Sequence, residues 1–485
     1  MNQDEKMKNK TSIITKRLVP LLFSITLLTA VLAINCGKER VPEKKQIILI
    51  SIDTLRGDHL NSYGYFRETA PHLFKLIKDS VYYREAYPNG CWTMPSHMSL
   101  LTGTLPSRHG INKDWQSSRG KMYPRLNESL KSLPVILKTK NIATLKFAKL
   151  PGRLGFGRGF DIDDRDDPFS TNRKFFKLLQ EIENNKEKDF FFFIHTWMVH
   201  APYANCYFID KDRLNPEIRY YINNFRVLGK EKKFATRAFH RYLIENKLLN
   251  VKNCVTLYDS GIRYVDRYVG RIIQKTKQLG IYKNLMFIVV SDHGEHFAEH
   301  YPGRFYDHHG RDYYEEFIKV PLIIKYPEQR RTGVKKSPVS LIDVLPTVLD
   351  FYDMDIPAFV QGDSLLKSLG KKDRKYIVSE AISESEFERK MIRVGDLKYI
   401  VTMGKPFKTG RVNWETITER RLFDLKNDPL EKNNLFTDLK FRQVCINFEK
   451  MLRNIIDHSV SADFAVEEAE ISEETIDQLK ALGYL

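Results

Sequence analysis

Three uninterrupted apolar runs stand out along the chain, each followed at once by a residue that can bind a metal ion. Long runs rich in β-branched and aromatic residues predict strands buried on both faces, as in a parallel sheet. The first run spans residues 46–52 and stops at Asp53; the others are 190–194, which stops at His195, and 285–291, which is followed by Asp292 and His293.

In an open α/β sheet the ligand lies beyond the carboxyl ends of the strands. The two aspartates and the imidazoles that follow the three runs should therefore meet at one edge of one sheet. Carboxylate and imidazole groups are common metal ligands in proteins. The pattern thus predicts a metal site assembled from distant parts of the chain.

The rest of the pattern predicts one large α/β domain followed by a smaller one. Helical spacing over 258–279 leads into the third apolar run, and the polar, basic stretch 204–250 predicts a helical insertion over the sheet edge. After residue 360, short strand-like segments precede an amphipathic helix. We expect a catalytic domain at 45–358 and an α+β subdomain at 359–485.

Composition narrows the class of protein. With 42% hydrophobic and 12% aromatic residues, the 485-residue chain can bury a large core and is not disordered. The net charge of +17 suits anionic partners, although it also serves solubility alone. No basic run is interleaved with aromatic residues, so nucleic acid is not expected as a partner.

The amino-terminal residues have the layout of a secretory signal. Lysines and arginines before residue 18 precede an apolar segment at 18–34, and Cys36 follows. Residues 32–36 resemble a bacterial lipobox, which implies a lipoprotein with residues 1–36 as signal and anchor. The alternative is an uncleaved membrane anchor. Either interpretation places the protein outside the cytoplasm.

The five cysteines are scattered along the chain and lack the paired spacing of a zinc ribbon.

Residues 91–103 carry the most specific signal. Pro95 suits the first turn of a helix and Gly103 suits its end. Thr93 would then lie just ahead of a helix amino terminus, where backbone N–H groups favour an anion. Beside a metal ion, a hydroxyl there can act as a nucleophile. The alternative is that Thr93 only caps the helix.

This stretch resembles the sulfatase signature, in which a nucleophile, any residue, proline, serine and a basic residue precede a Leu-Thr-Gly helix end. The resemblance implies an alkaline-phosphatase-like fold: a three-layer α/β/α sandwich with a large mixed sheet and a small carboxyl-terminal sheet domain. Further segments that resemble family landmarks, in the same order along the chain, are 51–59, 195–203, 291–295, 309–322, 343–347, 422–435 and 479–484.

The chain departs from the sulfatase pattern at the nucleophile. Sulfatases convert a cysteine or serine at this position to formylglycine, which threonine cannot become, and Cys91 stands two residues too early. A formylglycine hydrate expels sulfate through its second hydroxyl, which Thr93 lacks. An ester on Thr93 must instead be cleaved by water or another acceptor, which favours phosphate or phosphonate esters as substrates.

Other departures affect the metal. Thr54 replaces a second metal-binding aspartate, His97 replaces an arginine, and His293 stands where calcium-type sulfatases carry asparagine. Fewer carboxylates and an added imidazole favour zinc or manganese over calcium.

The resemblance assigns roles as follows. Asp53, Asp292 and His293 bind the metal, and Thr93 attacks the ester. The anionic oxygens or the leaving group are contacted by His97, His200 and His309. A second metal ion would need further ligands, for which His195, His200 and His309 are the candidates; the alternative is that His195 only supports the residues that bind the metal.

Two rival functions remain open from the sequence. Enzymes with a threonine nucleophile also transfer phosphoethanolamine or phosphoglycerol groups to envelope polymers, usually with several membrane spans. The other rival is a surface binding protein that has kept the fold and lost activity. Retention of both aspartates with Thr93 and His293 argues against that second rival.

Overall fold

The computed structural model describes residues 44–111, 122–210, 215–220, 246, 250–301, 312–366, 374–382, 387–404, 412–460 and 467–470. From Lys45 onward the chain forms one compact unit. The strands in chain order are β1 Gln46–Ile52, β2 Val81–Tyr87, β3 Met122–Arg125, β4 Ala143–Phe147, β5 Ile162–Asp164, β6 Phe190–Thr196, β7 Leu285–Val290, β8 Val320–Lys325, β9 Gly333–Lys335, β10 Val339–Ser340, β11 Ile377–Ile382, β12 Glu388–Val394, β13 Leu397–Met403, β14 Ile417–Asp424 and β15 Glu467–Glu470.

The α-helices form the layers around these strands. None of the described helices is long and apolar enough to cross a membrane. In chain order they are α1 Pro71–Lys78, α2 Thr93–Thr102, α3 Pro106–His109, α4 Leu133–Leu137, α5 Asn172–Asn184, α6 Val251–Gln278, α7 Glu315–Ile318, α8 Val344–Phe351 and α9 Arg442–Ser459.

The large sheet has the strand order β10-β2-β8-β7-β1-β6-β4-β5, with β9 beside β2. Strands β6 and β7 flank β1 and run parallel to it, and Ser51 pairs in register with His195 and with Val290. Among the described strands of this sheet, β8 alone runs antiparallel to its neighbours β2 and β7. The three apolar runs are therefore adjacent parallel strands that end at one edge, which confirms the prediction.

Each face of the large sheet supports a separate core. In β1, Ile47 and Leu49 pack on the face that α2, α4 and α8 cover, while Ile48 and Ile50 pack on the face that α1, α5 and α6 cover. Burial on both faces explains why the runs contain no polar alternation. The predicted three-layer α/β/α sandwich is confirmed.

The small sheet is antiparallel, in the order β11-β12-β13-β14. Helix α9 lays Phe448 and Leu452 against it, next to Tyr399 of β13. This arrangement confirms the predicted α+β character of the carboxyl-terminal part. The large sheet ends at β10 and the small one begins at β11, but the boundary between residues 358 and 359 stays a prediction.

The structure differs from the predicted elements in several places. Helix α6 begins at Val251, seven residues before the predicted start. Asn250 caps this start by accepting a hydrogen bond from the backbone N–H of Asn253 at 2.9 Å. Strand β14 was not predicted. Residues 1–36 and most of the predicted insertion at 204–250 lie outside the described residues.

Candidate active site

Helix α2 begins at the predicted nucleophile. Trp92 occupies the cap position in an extended conformation without a side-chain cap, and Thr93 is the first helical residue. Gly103 ends the helix with a φ of +66°, in the left-handed region that glycine enters most easily. The interpretation of Thr93 as a helix cap is therefore wrong, and its hydroxyl is available for other contacts.

The metal residues predicted from the strand ends meet in the fold. The Nε2 atom of His293 lies 3.4 Å from Oδ1 of Asp53 and 3.6 Å from Oδ2 of Asp292. All three side chains are buried, and their possible ligand atoms lie within 4.8 Å of one another. The 3.4 Å and 3.6 Å separations are too long for hydrogen bonds.

Thr93 joins this cluster through its hydroxyl. Its Oγ1 lies 3.3 Å from Nε2 of His293, and the nearby hydroxyl acts to lower the pKa of Asp53. The hydroxyl, two carboxylates and an imidazole thus converge from segments up to 240 residues apart. Their mutual contacts fit a hydroxyl nucleophile beside a cation.

The cluster fits a bound divalent cation. Oδ1 of Asp53 and both carboxylate oxygens of Asp292 are buried, and no described residue donates a hydrogen bond to them. Buried polar groups are otherwise almost always satisfied. Two ligands about 2.0 Å from a tetrahedral zinc ion lie roughly 3.3 Å apart, close to the separations found here.

The charges of the site depend on this mutual proximity. Burial raises the pKa of Asp53 to about 6, against the opposing influence of His293 and Thr93. Burial disfavours the charged form of His293, but the carboxylates of Asp292 and Asp53 outweigh it and raise the pKa of His293. The imidazole and the two carboxylates therefore favour opposite charges on one another.

His97 lies in the cluster with both ring nitrogens engaged. Nδ1 bonds to the carbonyl oxygen of Thr93 at 2.8 Å, and Nε2 lies 2.8 Å from Oγ of Ser51. Burial lowers the pKa of His97 to about 3, so the ring is neutral at pH 7. These contacts connect α2 to β1 and hold the backbone of Thr93, the predicted nucleophile, in place.

His195 is fully buried at the end of β6, with its Nε2 3.4 Å from Oδ2 of Asp53. Burial lowers the pKa of His195 to about 4. His200 lies on the following loop, half-buried and edge-on to Trp197, and is not among the residues whose ligand atoms converge. His309 lies outside the described residues, so its predicted role stays a prediction.

Two serines of the site were not predicted. The hydroxyl of Ser291 accepts a hydrogen bond from the N–H of Leu55 at 2.8 Å and donates to the carbonyl of His293 at 2.8 Å. It therefore ties the loop after β1 to the loop after β7. Ser51 holds His97. Their only sequence signal is a serine one or two residues before each aspartate.

The fold and this site define a member of the sulfatase family, to which the chain belongs. The family model "Sulfatase" matches residues 45–354, and the model "N-sulphoglucosamine sulphohydrolase, C-terminal" matches residues 299–458. The protein is accordingly a hydrolase of a family that generally uses a divalent metal ion and acts on anionic sulfate esters.

Individual relatives are similar over most of the chain. A Delta 4,5-hexuronate-2-O-sulfatase of Bacteroides thetaiotaomicron is 24% identical over 466 residues, covering 87% of this chain and 91% of the relative. A solved 2-O GAG sulfatase has a TM-score of 0.64 and 19% identity, covering 88% and 95% of the two chains. The phosphonate monoester hydrolase of Silicibacter pomeroyi has a TM-score of 0.62 and 17% identity, covering 89% and 100%.

Proposed function

We propose that this chain is a metal-dependent hydrolase of phosphate-type or phosphonate-type esters, with Thr93 as its nucleophile. The observation that carries the proposal is the position of the Thr93 hydroxyl, 3.3 Å from Nε2 of His293, which itself lies 3.4 Å from Oδ1 of Asp53. It lies in the first turn of a ten-residue buried helix, where free backbone N–H groups favour developing negative charge.

Each residue of the site has its own role in the proposed reaction. Asp53, Asp292 and His293 would hold the cation, which when bound lowers the pKa of the Thr93 hydroxyl and polarises the ester. Thr93 releases its hydroxyl proton to solvent, its Oγ1 attacks phosphorus, the bond between phosphorus and the leaving oxygen breaks, and we assign to His200 the proton that this oxygen takes up. Water then attacks phosphorus, the bond between phosphorus and Oγ1 breaks, and Oγ1 takes up one proton of that water as the phosphate or phosphonate leaves.

The choice of ester follows from the nucleophile. Thr93 has no second hydroxyl with which to expel sulfate, so its ester must be released by an external acceptor. Cys91 does not offer an alternative nucleophile, because burial raises the pKa of its thiol to about 12 and the side chain packs with Tyr313 and Ile377. A phosphonate monoester hydrolase among the structural neighbours is compatible with this chemistry.

A panel of aryl sulfates, phosphate monoesters, phosphodiesters and phosphonate monoesters tests the proposal, each with zinc, manganese or calcium. We expect turnover of a phosphorus ester with zinc or manganese and its loss with chelator. Hydrolysis of sulfate esters alone would contradict the substrate class. A stable transfer product in place of free phosphate would favour the transferase.

Variants in the same panel test the nucleophile. Thr93→Ala should lower kcat by about 10³-fold or more, the loss expected when covalent catalysis fails. Thr93→Ser keeps the hydroxyl and should keep measurable turnover. Thr102→Ala, at the other end of α2, is the matched control. Full turnover by Thr93→Ala would show that the nucleophile assignment is wrong.

We further propose that the protein acts outside the cytoplasm and is attached to a membrane through Cys36. Support comes from the basic, apolar and cysteine-terminated order of residues 1–36. Incorporation of labelled fatty acid into the wild type, and its loss in Cys36→Ala, is the expected result. Labelling that persists in Cys36→Ala would contradict lipidation at this residue.

A further inference from the structure

We propose that the site holds a second cation, bound by His97, His195 and Asp292, with Asp292 shared between the two ions. The possible ligand atoms of these three side chains all lie within 4.8 Å of one another. This second site rests on the metal dependence of the proposed function and adds an ion to it.

His195 brings to this group an imidazole that lacks a hydrogen-bond partner. It is fully buried at the end of β6, and no described residue forms a hydrogen bond with either of its ring nitrogens. Its Nε2 lies 3.4 Å from Oδ2 of Asp53, which is too long for a hydrogen bond. Leaving a buried polar group unsatisfied costs about 1–3 kcal/mol. A bound cation would supply the partner that this ring requires.

Asp292 faces both groups of ligands. Its two carboxylate oxygens are buried, and neither accepts a hydrogen bond from the part of the chain that the structure describes. Its Oδ2 lies 3.6 Å from Nε2 of His293 and 3.6 Å from Nδ1 of His97. The carboxylate is thus equally close to an imidazole of each group, as a ligand shared by two ions must be. In two-metal sites the ions are typically about 3.5–4 Å apart.

His97 can bind the second ion through Nδ1, the nitrogen that faces Asp292. Nδ1 also lies 2.8 Å from the carbonyl oxygen of Thr93, and binding a cation would replace this bond. That carbonyl keeps a partner, because in an α-helix the backbone N–H four residues further on donates to it. With Nδ1 on the cation, the proton is on Nε2, which then donates to Oγ of Ser51 at 2.8 Å. Metal-bound histidines almost always donate their other ring N–H in this way.

The chemistry of the three ligands favours zinc. Two imidazoles and one carboxylate bind several catalytic zinc ions, and water or substrate takes the fourth position. His200, a candidate ligand of a second ion from the sequence, is not among the described residues whose ligand atoms converge. The structure instead brings in His97, from the helix α2 that carries Thr93. A second ion would therefore join α2 to the ends of β6 and β7 beside the nucleophile.

The zinc content of the full-length chain tests the second site without any measurement of turnover. After zinc loading and removal of loosely bound metal on a chelating resin, we expect two zinc ions per wild-type chain. X-ray absorption should find three imidazoles divided between two ions, an average of about 1.5 per zinc. One zinc per chain, or an average of one imidazole per zinc, would overturn the assignment before any variant is made.

Variants should remove the two ions separately. His195→Asn should leave one zinc with a single imidazole, whereas Asp53→Asn should leave one zinc with two imidazoles. Asp292→Asn lacks the shared ligand and should lose both ions. The matched control is His109→Asn, which should keep two zinc ions, because the buried His109 lies in α3 with its Nε2 3.0 Å from Oγ of Ser99. Circular dichroism checks that each variant is folded.

The outcomes separate the second site from the proposed function. Two zinc ions retained in His195→Asn, or a single zinc in the wild type, would refute the second site and leave the proposed hydrolase intact. A wild type that binds no zinc, manganese or calcium would refute both the second site and the proposed metal dependence.

Discussion

Two side chains at the start of α2, only two residues apart, occupy opposite environments. The thiol of Cys91 is buried among apolar and aromatic groups and stays protonated because burial raises its pKa to about 12. The hydroxyl of Thr93 faces the imidazole of His293 and the carboxylate of Asp53. Cys91 precedes the helix and Thr93 is its first residue, with Trp92 in an extended conformation between them, so no helical periodicity relates the two side chains.

At the residue scale, we expect Ser291 to contribute to both the stability of the fold and the affinity for zinc. Ser291→Ala removes the acceptor of the buried Leu55 N–H and the donor to the His293 carbonyl. We predict a loss of about 1–3 kcal/mol in the free energy of unfolding and weaker zinc binding. Urea unfolding and zinc titration measure these effects.

Ser132→Ala is the control for that variant. Ser132 is also buried, but its hydroxyl makes only a long contact of 3.4 Å to the Arg158 carbonyl. Its substitution should leave zinc affinity unchanged and cost less stability. Equal effects of the two substitutions would contradict the bridging role of Ser291.

The sequence allowed part of this site to be predicted. Asp53, Asp292 and His293 could be placed because each follows a buried parallel strand, and parallel strands end at one edge. The roles of Ser51 and Ser291 could not be predicted, because their hydrogen bonds join them to His97 and to Leu55, which lie 46 and 236 residues away. The predicted catalytic role of His97 stays a prediction. Such contacts depend on packing that no local pattern records.

At the scale of elements, α2 is fixed at both ends by close packing. A Cβ added to Gly103 would lie 2.9 Å from Cγ1 of Val360. A Cβ added to Gly90, just before the helix, would lie 2.7 Å from Cγ of Pro95 in its first turn. The helix that carries Thr93 is therefore held against its neighbours, which limits how far its first turn can move.

Gly103→Ala should therefore destabilise the protein by about 2–4 kcal/mol, from left-handed strain and crowding together. Gly395 has a similar φ of +60° with nothing within 4 Å of an added Cβ, so Gly395→Ala should cost only about 1–2 kcal/mol. Denaturant unfolding of both variants compares them. Equal losses would show that crowding at Gly103 has no effect.

The elements themselves were predicted unevenly. Strands β1, β6 and β7 could be predicted because continuous β-branched and aromatic runs are typical of strands that are buried on both faces. Strand β14 was missed because its first half is exposed and charged, with only residues 421–423 buried. Its place in the sheet is decided by pairing with β13 rather than by its own hydropathy.

At the scale of the whole molecule, a buried ion pair links the two sheets. Asp312, just before α7, accepts two hydrogen bonds from Arg421 of β14, at 3.0 and 2.6 Å. Burial disfavours the charged carboxylate, but Arg421 and Arg389 outweigh it and hold the pKa of Asp312 below its usual value.

The lowered pKa of Asp312 predicts that the free energy of unfolding depends on pH. A carboxylate with a lower pKa in the folded chain stabilises it above the unfolded pKa of about 4 and loses that effect as pH falls through the folded pKa. Asp312→Asn should cost about 3–5 kcal/mol at pH 7, and the difference from wild type should shrink below about pH 4. Unfolding free energies measured at several pH values test this.

Asp353→Asn is the control, because Asp353 forms an exposed ion pair with Lys45. Exposed pairs contribute about 0–1 kcal/mol. If the loss in Asp312→Asn were the same at pH 7 and at pH 3, the ionised carboxylate would not be the stabilising form.

The attack of Thr93 on a phosphorus ester is tested most directly by trapping its product. Rapid acid quench during turnover of a phosphonate monoester, followed by peptide mass spectrometry, should find the phosphonyl group on the peptide that contains Thr93. Fragmentation should assign it to that residue. An unmodified Thr93 together with the same group on another side chain would contradict the account.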